Sequence, residues 1–347
     1  MNNLISVIIP LFNRRKLIIE TIDSILAQTM SSLEVIIIDD HSTDGSYDIV
    51  KNYVNKDSRF RVLKRKGSSR GAPECRNEGI MIARGKYLMF LDSDDLLDPT
   101  CIEQRLSYAS QMPGKDYYIF NVALFSPDTM IADYLAANLE TKDDLDGFIK
   151  YTGGWHTSSS LFKSEFVRKN LHFDTRALSW QDVEFHIRAI IISENYQKFK
   201  NSKPDVYVRI SAISRISTSE WSYEKLYSRI LIYSEIQDLI LKRTGRNYKK
   251  EFLYFYFFYL EIAARKLQQE SFSKIFKLWK SRYAYDVPKG TEVYLHSLNY
   301  LSRKPLNILG AILYKANRIF YGDSLRFPQK KVKLSQPIDL PNFNRVN

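Results

Sequence analysis

The sequence predicts an α/β fold in which a mostly parallel central sheet is flanked by helices and followed by a helical C-terminal extension. Before residue 218, short continuous apolar runs alternate with segments whose apolar residues recur at helical spacing. After that point the pattern is helical and rich in Tyr, Phe, Lys and Arg. We therefore predict one α/β domain over residues 1–218 and a mostly helical region over residues 219–347.

Four buried strands are expected in the first third of the chain, at residues 6–10, 33–38, 60–63 and 87–91. Helices are expected after Asn13, which can act as a cap, and then through residues 49–53 and 73–83. Because crossovers between parallel strands are right-handed, the carboxyl ends of these strands should share one edge of the sheet. Ligands of such sheets bind outside that edge.

Polar groups follow three of these strands, at residues 10–13, at Asp39 and Asp40, and at residues 92–95. The acids in residues 92–95 repel one another and raise each other's pKa unless a positive group lies among them. A divalent cation shared between carboxylates and substrate phosphates supplies that charge. The alternative is a solvated acidic turn in which Asp94 or Asp98 caps the next helix.

The chain is basic, with a net charge of +12 and a pI of about 9.4. This charge suits nucleic acid, an anionic membrane surface or phosphate-bearing substrates. The basic residues concentrate in the last third, and the first 220 residues show no basic and aromatic recognition motif, which argues against nucleic acid. Cys75 and Cys101 fit a reducing compartment, and we expect neither a signal peptide nor a spanning segment. We therefore expect a cytoplasmic protein in peripheral contact with the inner face of an anionic membrane.

Four motifs near the start of the chain resemble the opening half of the family 2 glycosyltransferases. They are SVIIPLFNR at residues 6–14, EVIIIDDHSTDGS at residues 34–46, and CRNEGIMIARGKYLMFLDSDD at residues 75–95, which joins two motifs. Their order and spacing match across residues 4–99. The resemblance implies the GT-A Rossmann-like fold and an inverting, single-displacement enzyme. Because the chain shows no Q-x-x-R-W motif, a non-processive enzyme is expected.

The resemblance also implies a nucleotide-sugar donor, and we expect a UDP-sugar. The positions that match Pro10 and Phe12 edge the base in that family. Those that match Asp39 and Asp40 bind the uracil and ribose end, with Asp40 favoured for the base. A turn cap is the alternative role for Asp39.

Further positions are assigned by the resemblance to the phosphate end of the donor. Arg70 or Arg76 would approach the diphosphate, although Arg76 could instead form a structural ion pair with a strand-end acid. Asp92 would contact the ribose, and Asp94 would hold a divalent metal, Mn or Mg. Asp95 would orient Asp94 or cap the next helix.

The middle of the chain is expected to bind the acceptor, with Trp155, Trp180 and Gln181 as weak candidates. The segment that begins near Trp180 resembles the family's E-D-x-x-F-x-x-R helix, with Gln181 in place of Glu. Asp182 keeps the acidic position and is the implied general base, because an acceptor hydroxyl needs a carboxylate to take its proton. A helix cap is the alternative role for Asp182, a core position is the alternative for Trp180, and Glu184 is the rival base.

One departure from the family concerns the metal. Residues 205–214 resemble the family's Y-x-R-x-H-x-x-S segment, but Ser211 stands where many members have His. This puts a third protein ligand for the metal in doubt. His156, His172 and His186 are expected to be polar surface or packing residues.

The C-terminal third leaves two interpretations open. Residues 251–264 are apolar on every side, so this helix is expected either to be buried in a helical subdomain or to lie at a membrane interface. A further amphipathic helix is predicted at residues 306–320, and the tail after Phe327 is predicted to be irregular.

The expected function is transfer of a sugar to a glycan or lipid-linked acceptor in bacterial-type surface polysaccharide assembly. One alternative is a catalytically silent protein that binds nucleotide-sugars or membranes. Another is a sugar nucleotidylyltransferase, but that class would show a Gly-rich phosphate loop where residues 10–13 stand. The sequence predicts neither the transferred sugar nor the oligomeric state.

Overall fold

The computed structural model describes residues 3–55, 57–67, 71–136, 138–150, 152–210, 221–283, 291–301 and 332–340. Arg70, Ser211 and the amphipathic helix predicted at residues 306–320 lie outside these ranges, so their predictions are not addressed below.

The strands, in chain order, are β1 Ile5–Leu11, β2 Leu33–Asp39, β3 Phe60–Lys64, β4 Tyr87–Phe90, β5 Leu96–Leu97, β6 Tyr117–Phe120, β7 Ala123–Ser126, β8 Ile131–Leu135, β9 Ser160–Lys163, β10 Tyr196–Phe199, β11 Val206–Arg209 and β12 Val332–Asp339. The helices are α1 Ile18–Leu26, α2 Ser46–Tyr53, α3 Ala72–Ile82, α4 Cys101–Gln111, α5 Asp144–Lys150, α6 Ser164–Asn170, α7 Gln181–Ile192, α8 Tyr223–Thr244, α9 Lys249–Lys266, α10 Gln269–Tyr283 and α11 Thr291–Leu301. A 3₁₀ turn covers Thr157–Ser159.

Within the described ranges the main sheet has seven strands in the order β10-β6-β9-β4-β1-β2-β3. Strand β1 pairs in parallel with β2 and β4, and β2 pairs in parallel with β3, as the alternating pattern predicts. Strand β9 pairs antiparallel with β4 and β6, which makes the sheet mixed. The register pairs Leu11 with Asp39 and Ile8 with Phe90, so the carboxyl ends of β1, β2 and β4 lie at one edge.

The predicted cap of the first helix is wrong. Helix α1 begins at Ile18, and Asn13 has a positive φ of 50°. The Asn13 Oδ1 atom accepts a hydrogen bond from the backbone N–H of Thr43, 2.8 Å away. Asn13 therefore joins the loop after β1 to the loop after β2, because Asn tolerates left-handed backbone and its amide can bond neighbouring backbone.

The prediction of an irregular tail is also wrong for the part that the structure describes. Strand β12 pairs antiparallel with β8 and lies at the end of a second sheet, in the order β12-β8-β7-β11-β5. Its Lys and Pro content is typical of a loop, but edge strands tolerate both residue types. The register shifts between Lys333 and Ile338, across Pro337.

The C-terminal helices share a core with the main sheet. Phe90 of β4 and Phe185 of α7 belong to the same cluster of buried residues as Ile230 of α8 and Tyr259 of α9. The aromatic run of α9 is largely buried there, so packing within the protein is the alternative observed for this helix. The division at residue 218 stays a prediction. None of the described helices combines the length and apolar character needed to cross a bilayer.

Candidate active site

The candidate site begins where the loops after β1 and β2 meet. The backbone N–H of Asn13 donates to Ser42 Oγ at 3.0 Å, and this contact adds to the Thr43 hydrogen bond to hold the two loops together. Pro10 is buried inside β1, where it pairs with Ile38. Phe12, two residues later, is 44% exposed at the strand end. Of the two residues predicted to edge a base, Phe12 has the accessible ring.

The two acids at the end of β2 have different environments. Both carboxylate oxygens of Asp40 have a partner, because Oδ1 accepts from Arg65 Nε at 3.0 Å and Oδ2 accepts from the backbone N–H of Gly71 at 2.7 Å. Asp39 is fully buried, and its Oδ2 accepts from the backbone N–H of Ser42 at 3.2 Å. Asp39 Oδ1 has no hydrogen-bond partner within the described ranges. Asp39 is thus the acid that keeps an oxygen without a partner, but both acids are buried, so the assignment of Asp40 to the base stays a prediction.

Arg76 connects the end of β4 to the first residue of α7. Its guanidinium donates to Asp92 Oδ1 at 2.6 Å and to Gln181 Oε1 at 3.0 Å, and it lies over the ring of Phe173 at 5.1 Å. Arg76 Nε is buried without a partner among the residues described. The ion pair anticipated as an alternative for Arg76 is therefore present, and Gln181 takes part in the same contact.

The pKa values of the carboxylates in the acidic loop after β4 are shifted in different directions. Burial acts to raise the pKa of Asp92, but Arg76, followed by His156, more than offsets it and the pKa lies below its usual range. Burial and the Asp92 charge raise the pKa of Asp94, whose Oδ2 lies 3.5 Å from Arg14 Nε. Burial, with the charges of Asp94 and Asp92, raises the pKa of Asp95 well above its usual range.

Asp95 does not cap the next helix. Helix α4 begins at Cys101 with Thr100 at its N-terminal boundary, and it is Asp98 that accepts from the backbone N–H of Thr100 at 3.0 Å. Asp95 Oδ1 instead accepts from the backbone N–H of Arg209 at 3.1 Å. Asp98 therefore bonds the residue at the N-cap position without occupying that position, and neither acid is the cap of α4.

Three residues of the site fit a divalent cation, but the predicted metal ligand, Asp94, is not one of them. Asp92, Asp95 and His156 each offer one ligand atom, and these atoms lie within 4.8 Å of one another. Asp95 Oδ2 is buried without a hydrogen-bond partner in the described part of the chain, which an oxygen-seeking cation would satisfy. Asp94 is not in this group, and its role as a metal ligand stays a prediction. The sequence analysis did not assign His156 as a metal ligand, because nothing in the residues around it indicates that it lies close to Asp92.

The acceptor-side tryptophans are packing residues to different degrees. Trp155 is only 4% exposed and its ring packs against Phe148 and His186 at 4.8 and 5.7 Å between ring centroids. It is therefore not available to stack on a sugar in this conformation. Trp180 is partly buried with φ of 60° and is the residue that precedes α7. The core alternative describes Trp180 better than the acceptor role.

The candidate bases on α7 differ in their partners. Asp182 is half-buried in the first turn, and because Trp180 occupies the capping position, the cap alternative for Asp182 is not observed. Glu184 is buried and its two carboxylate oxygens bond Nε and an Nη atom of Arg188, one turn along the same helix. Burial raises the pKa of Glu184. The ion pair engages the carboxylate of Glu184, which leaves Asp182 as the better candidate base.

Arg229 of α8 supports the start of α7 from the C-terminal region. Its guanidinium carbon lies 4.9, 4.8 and 5.3 Å from the ring centroids of Trp180, Trp221 and Tyr259, and its Nε donates to Ser179 Oγ at 2.7 Å. Desolvated cation–π contacts contribute about 2 kcal/mol. The C-terminal helices thus fix the residues directly before Gln181 and Asp182.

We expect Arg229→Lys to lower the free energy of unfolding by about 1–3 kcal/mol, because Lys keeps the charge but loses the planar contact with the rings and the hydrogen bond to Ser179. Denaturant unfolding followed by tryptophan fluorescence measures the change. Arg243→Lys, at an exposed position in the last turn of the same helix, is the control and should leave the midpoint unchanged. Equal midpoints for both variants would contradict the prediction.

Comparisons with known proteins find similarity to glycosyltransferases. Residues 6–147 match the family model described as glycosyl transferase family 2. The chain is 32% identical over 199 residues to the poly(ribitol-phosphate) beta-N-acetylglucosaminyltransferase TarP of Staphylococcus aureus, covering 55% of this chain and 59% of that protein. It is 36% identical over 135 residues to the UDP-Glc:alpha-D-GlcNAc-diphosphoundecaprenol beta-1,3-glucosyltransferase WfaP of Escherichia coli, covering 36% of this chain and 53% of that protein.

The likeness to a solved structure extends over nearly the whole chain. Residues 1–349 of S. aureus TarS superpose with a TM-score of 0.62 at 18% identity, covering 96% of this chain and 99% of that one. This likeness confirms the predicted fold. The chain spans about half the length of the curated relatives that it matches, between 45% and 59% for four of them.

Proposed function

We propose that the chain is a member of glycosyl transferase family 2, whose model matches residues 6–147, and that it transfers one sugar from a nucleotide-sugar donor to a hydroxyl group of a glycan or lipid-linked acceptor. The observation that carries the proposal is the contact of Arg76 with both Asp92 and Gln181. Through it, the strand end assigned to the donor and the helix that carries Asp182 form one site.

The donor is proposed to bind at the carboxyl ends of β1, β2 and β4. Phe12 offers an exposed ring to a base, and Asp39 offers a buried acceptor oxygen with no partner in the described part of the chain. Arg76 offers charge near the diphosphate, although in this conformation its Nη atoms bond Asp92 and Gln181. A UDP-sugar is the proposed donor class, since WfaP, a relative at 36% identity, is named for that donor type.

Transfer requires that the acceptor hydroxyl lose its proton as it attacks the anomeric carbon. We propose that the Asp182 carboxylate takes this proton. Proton transfer to a positioned base typically raises the rate by about 10²–10⁴-fold. The new carbon–oxygen bond forms as the bond to the nucleoside diphosphate breaks, and attack from the opposite face inverts the anomeric centre. A divalent cation, when bound, supplies Lewis-acid stabilisation to the departing diphosphate. Arg76 adds a fixed positive charge on the same side of the site.

The acceptor is proposed to be a glycan or a lipid-linked glycan, because TarP and WfaP are named for a polyol phosphate polymer and a diphosphate lipid. Exposed basic residues around the turn between α8 and α9, including Lys242, Arg243 and Lys250, suit an anionic membrane surface. We propose peripheral contact through these charges, since the aromatic residues of α9 are largely buried in the core.

The proposal is tested by thermal unfolding with UDP, GDP, ADP and CDP, with and without Mn²⁺, followed by product analysis with UDP-sugars. Phe12→Ala is expected to weaken UDP binding by about 1–3 kcal/mol, the usual value of base stacking on an aromatic ring. Tyr53→Ala is the matched control, because Tyr53 is also 44% exposed but belongs to α2. Stabilisation by UDP that only Phe12→Ala weakens, together with sugar transfer, is the expected result.

Three other outcomes would contradict the proposed function. Nucleotide binding without transfer to any glycan or lipid-linked acceptor would favour the catalytically silent alternative. Incorporation of a nucleotide into a sugar phosphate would favour the nucleotidylyltransferase. If no nucleotide stabilises the protein with or without Mn²⁺, the candidate site does not bind a donor.

A further inference from the structure

His156 is brought close to the acidic loop although it lies far from it along the chain. Its Nε2 atom is 4.0 Å from Asp92 Oδ2, and one ligand atom each from His156, Asp92 and Asp95 lies within 4.8 Å of the others. Atoms held by one octahedral metal ion at bond lengths of about 2.1 Å are separated by about 3–4 Å, so this group is close to the required spacing. The residues need only a small closure to share one ion.

Asp95 supplies an independent observation. The side chain is 2% exposed, Oδ1 accepts from the backbone N–H of Arg209, and Oδ2 has no hydrogen-bond partner in the ranges that the structure describes. A buried carboxylate oxygen without a partner is costly. Asp95 belongs to a group that also contains one imidazole, from His156, and one further carboxylate, from Asp92. Both are ligands for divalent metals.

The His156 ring is held by the residues of the 3₁₀ turn that it precedes. Nδ1 lies 2.8 Å from Ser158 Oγ and accepts a long hydrogen bond from the backbone N–H of Ser158 at 3.4 Å. Metal binding through Nε2 requires Nδ1 to carry the proton, which it would donate to Ser158 Oγ, the nearer of the two atoms, at the expense of the 3.4 Å hydrogen bond. Metal-binding histidines are usually fixed in this way, because the second ring nitrogen donates to a nearby oxygen.

We propose that His156 provides a nitrogen ligand, together with carboxylate oxygens of Asp92 and Asp95, to a divalent cation in the candidate site. The role of this ion in transfer rests on the proposed function, whereas its binding does not. Asp94 offers no ligand atom within the 4.8 Å spacing of this group. An imidazole ligand also favours Mn²⁺ over Mg²⁺, which binds oxygen almost exclusively.

The test uses the full chain with Mn²⁺, alone and with UDP. Binding is followed by loss of the free-ion electron paramagnetic resonance signal, and electron spin-echo modulation detects a directly bound ¹⁴N nucleus. We expect ¹⁴N modulation in the wild-type protein and its loss in His156→Gln, with Mn²⁺ affinity falling by more than 10-fold. Ser158→Ala should weaken Mn²⁺ by about 10-fold, the lower range for residues that orient a ligand.

His172→Gln is the matched control, since His172 is exposed and outside the cluster, and it should keep both signals. Unfolding curves without metal confirm that each variant is folded. The inference is wrong if wild-type protein binds Mn²⁺ without ¹⁴N modulation, if His156→Gln binds it equally well, or if no Mn²⁺ binds in either condition. UDP binding and sugar transfer in those cases would leave the proposed function standing.

Discussion

Replacing Asp182 with Asn is expected to lower kcat for sugar transfer by about 10²–10⁴-fold, because Asn keeps the size of the side chain but cannot take the acceptor proton. UDP affinity should be unchanged, because the proposed donor residues lie at or just after the ends of β1, β2 and β4 and on α3, and none of them is Asp182. Single-turnover transfer measures the chemical step, and UDP-dependent thermal unfolding measures donor binding on the same preparation.

Glu184→Gln separates the rival base from Asp182. Glu184 is engaged by Arg188 and buried, so its substitution should reduce stability with little change in kcat. Asp48→Asn, at an exposed position in α2, controls for loss of a negative charge. If Glu184→Gln loses transfer in the folded protein while Asp182→Asn retains it, the roles of the two acids are exchanged.

The first half of the fold could be predicted because local patterns of apolar residues indicate its strands and helices. The apolar runs at β1, β2 and β4 are buried on both faces of the sheet, so periodicity and strand ends identify the sheet edge that carries the candidate site. The same motifs indicate Asp92 and Arg76, which the structure joins by a 2.6 Å contact.

The details that sequence reasoning missed depend on contacts between distant segments. Asp39 and Asp40 are adjacent and chemically identical, and only their contacts with Ser42, Arg65 and Gly71 distinguish the one that keeps a free oxygen. His156 lies shortly before β9, and the antiparallel pairing of β9 with β4 brings it close to Asp92. No local sequence pattern predicts this pairing. Strand β12 was missed because its Lys and Pro residues are acceptable only at a sheet edge.

Removing the carboxylate of Asp205 is expected to be the most destabilising of the substitutions considered. Asp205 Oδ2 and Oδ1 accept from Arg105 Nε and an Nη atom, both at 2.7 Å, and the two side chains are almost completely buried. The guanidinium also lies 4.9 Å from the Phe120 ring. Asp205→Ala leaves this cation buried without its partner, which costs about 3–5 kcal/mol. At about 2 °C per kcal/mol, Tm should fall by roughly 6–10 °C.

The pair is a structural element because the backbone C=O of Asp205 accepts from the N–H of Asp98, which joins the segment before β11 to the residues that follow β5. Arg105→Met combined with Asp205→Leu removes both charges and should recover most of the loss, since a buried ion pair contributes little beyond its apolar replacement. Asp174→Ala provides the surface comparison: Asp174 pairs with the exposed Arg176, so it should cost about 0–1 kcal/mol. Calorimetry of the four proteins would contradict this account if the double variant is no more stable than Asp205→Ala. In that event the destabilisation arises from lost packing around Asp205, and the buried charge is not its cause.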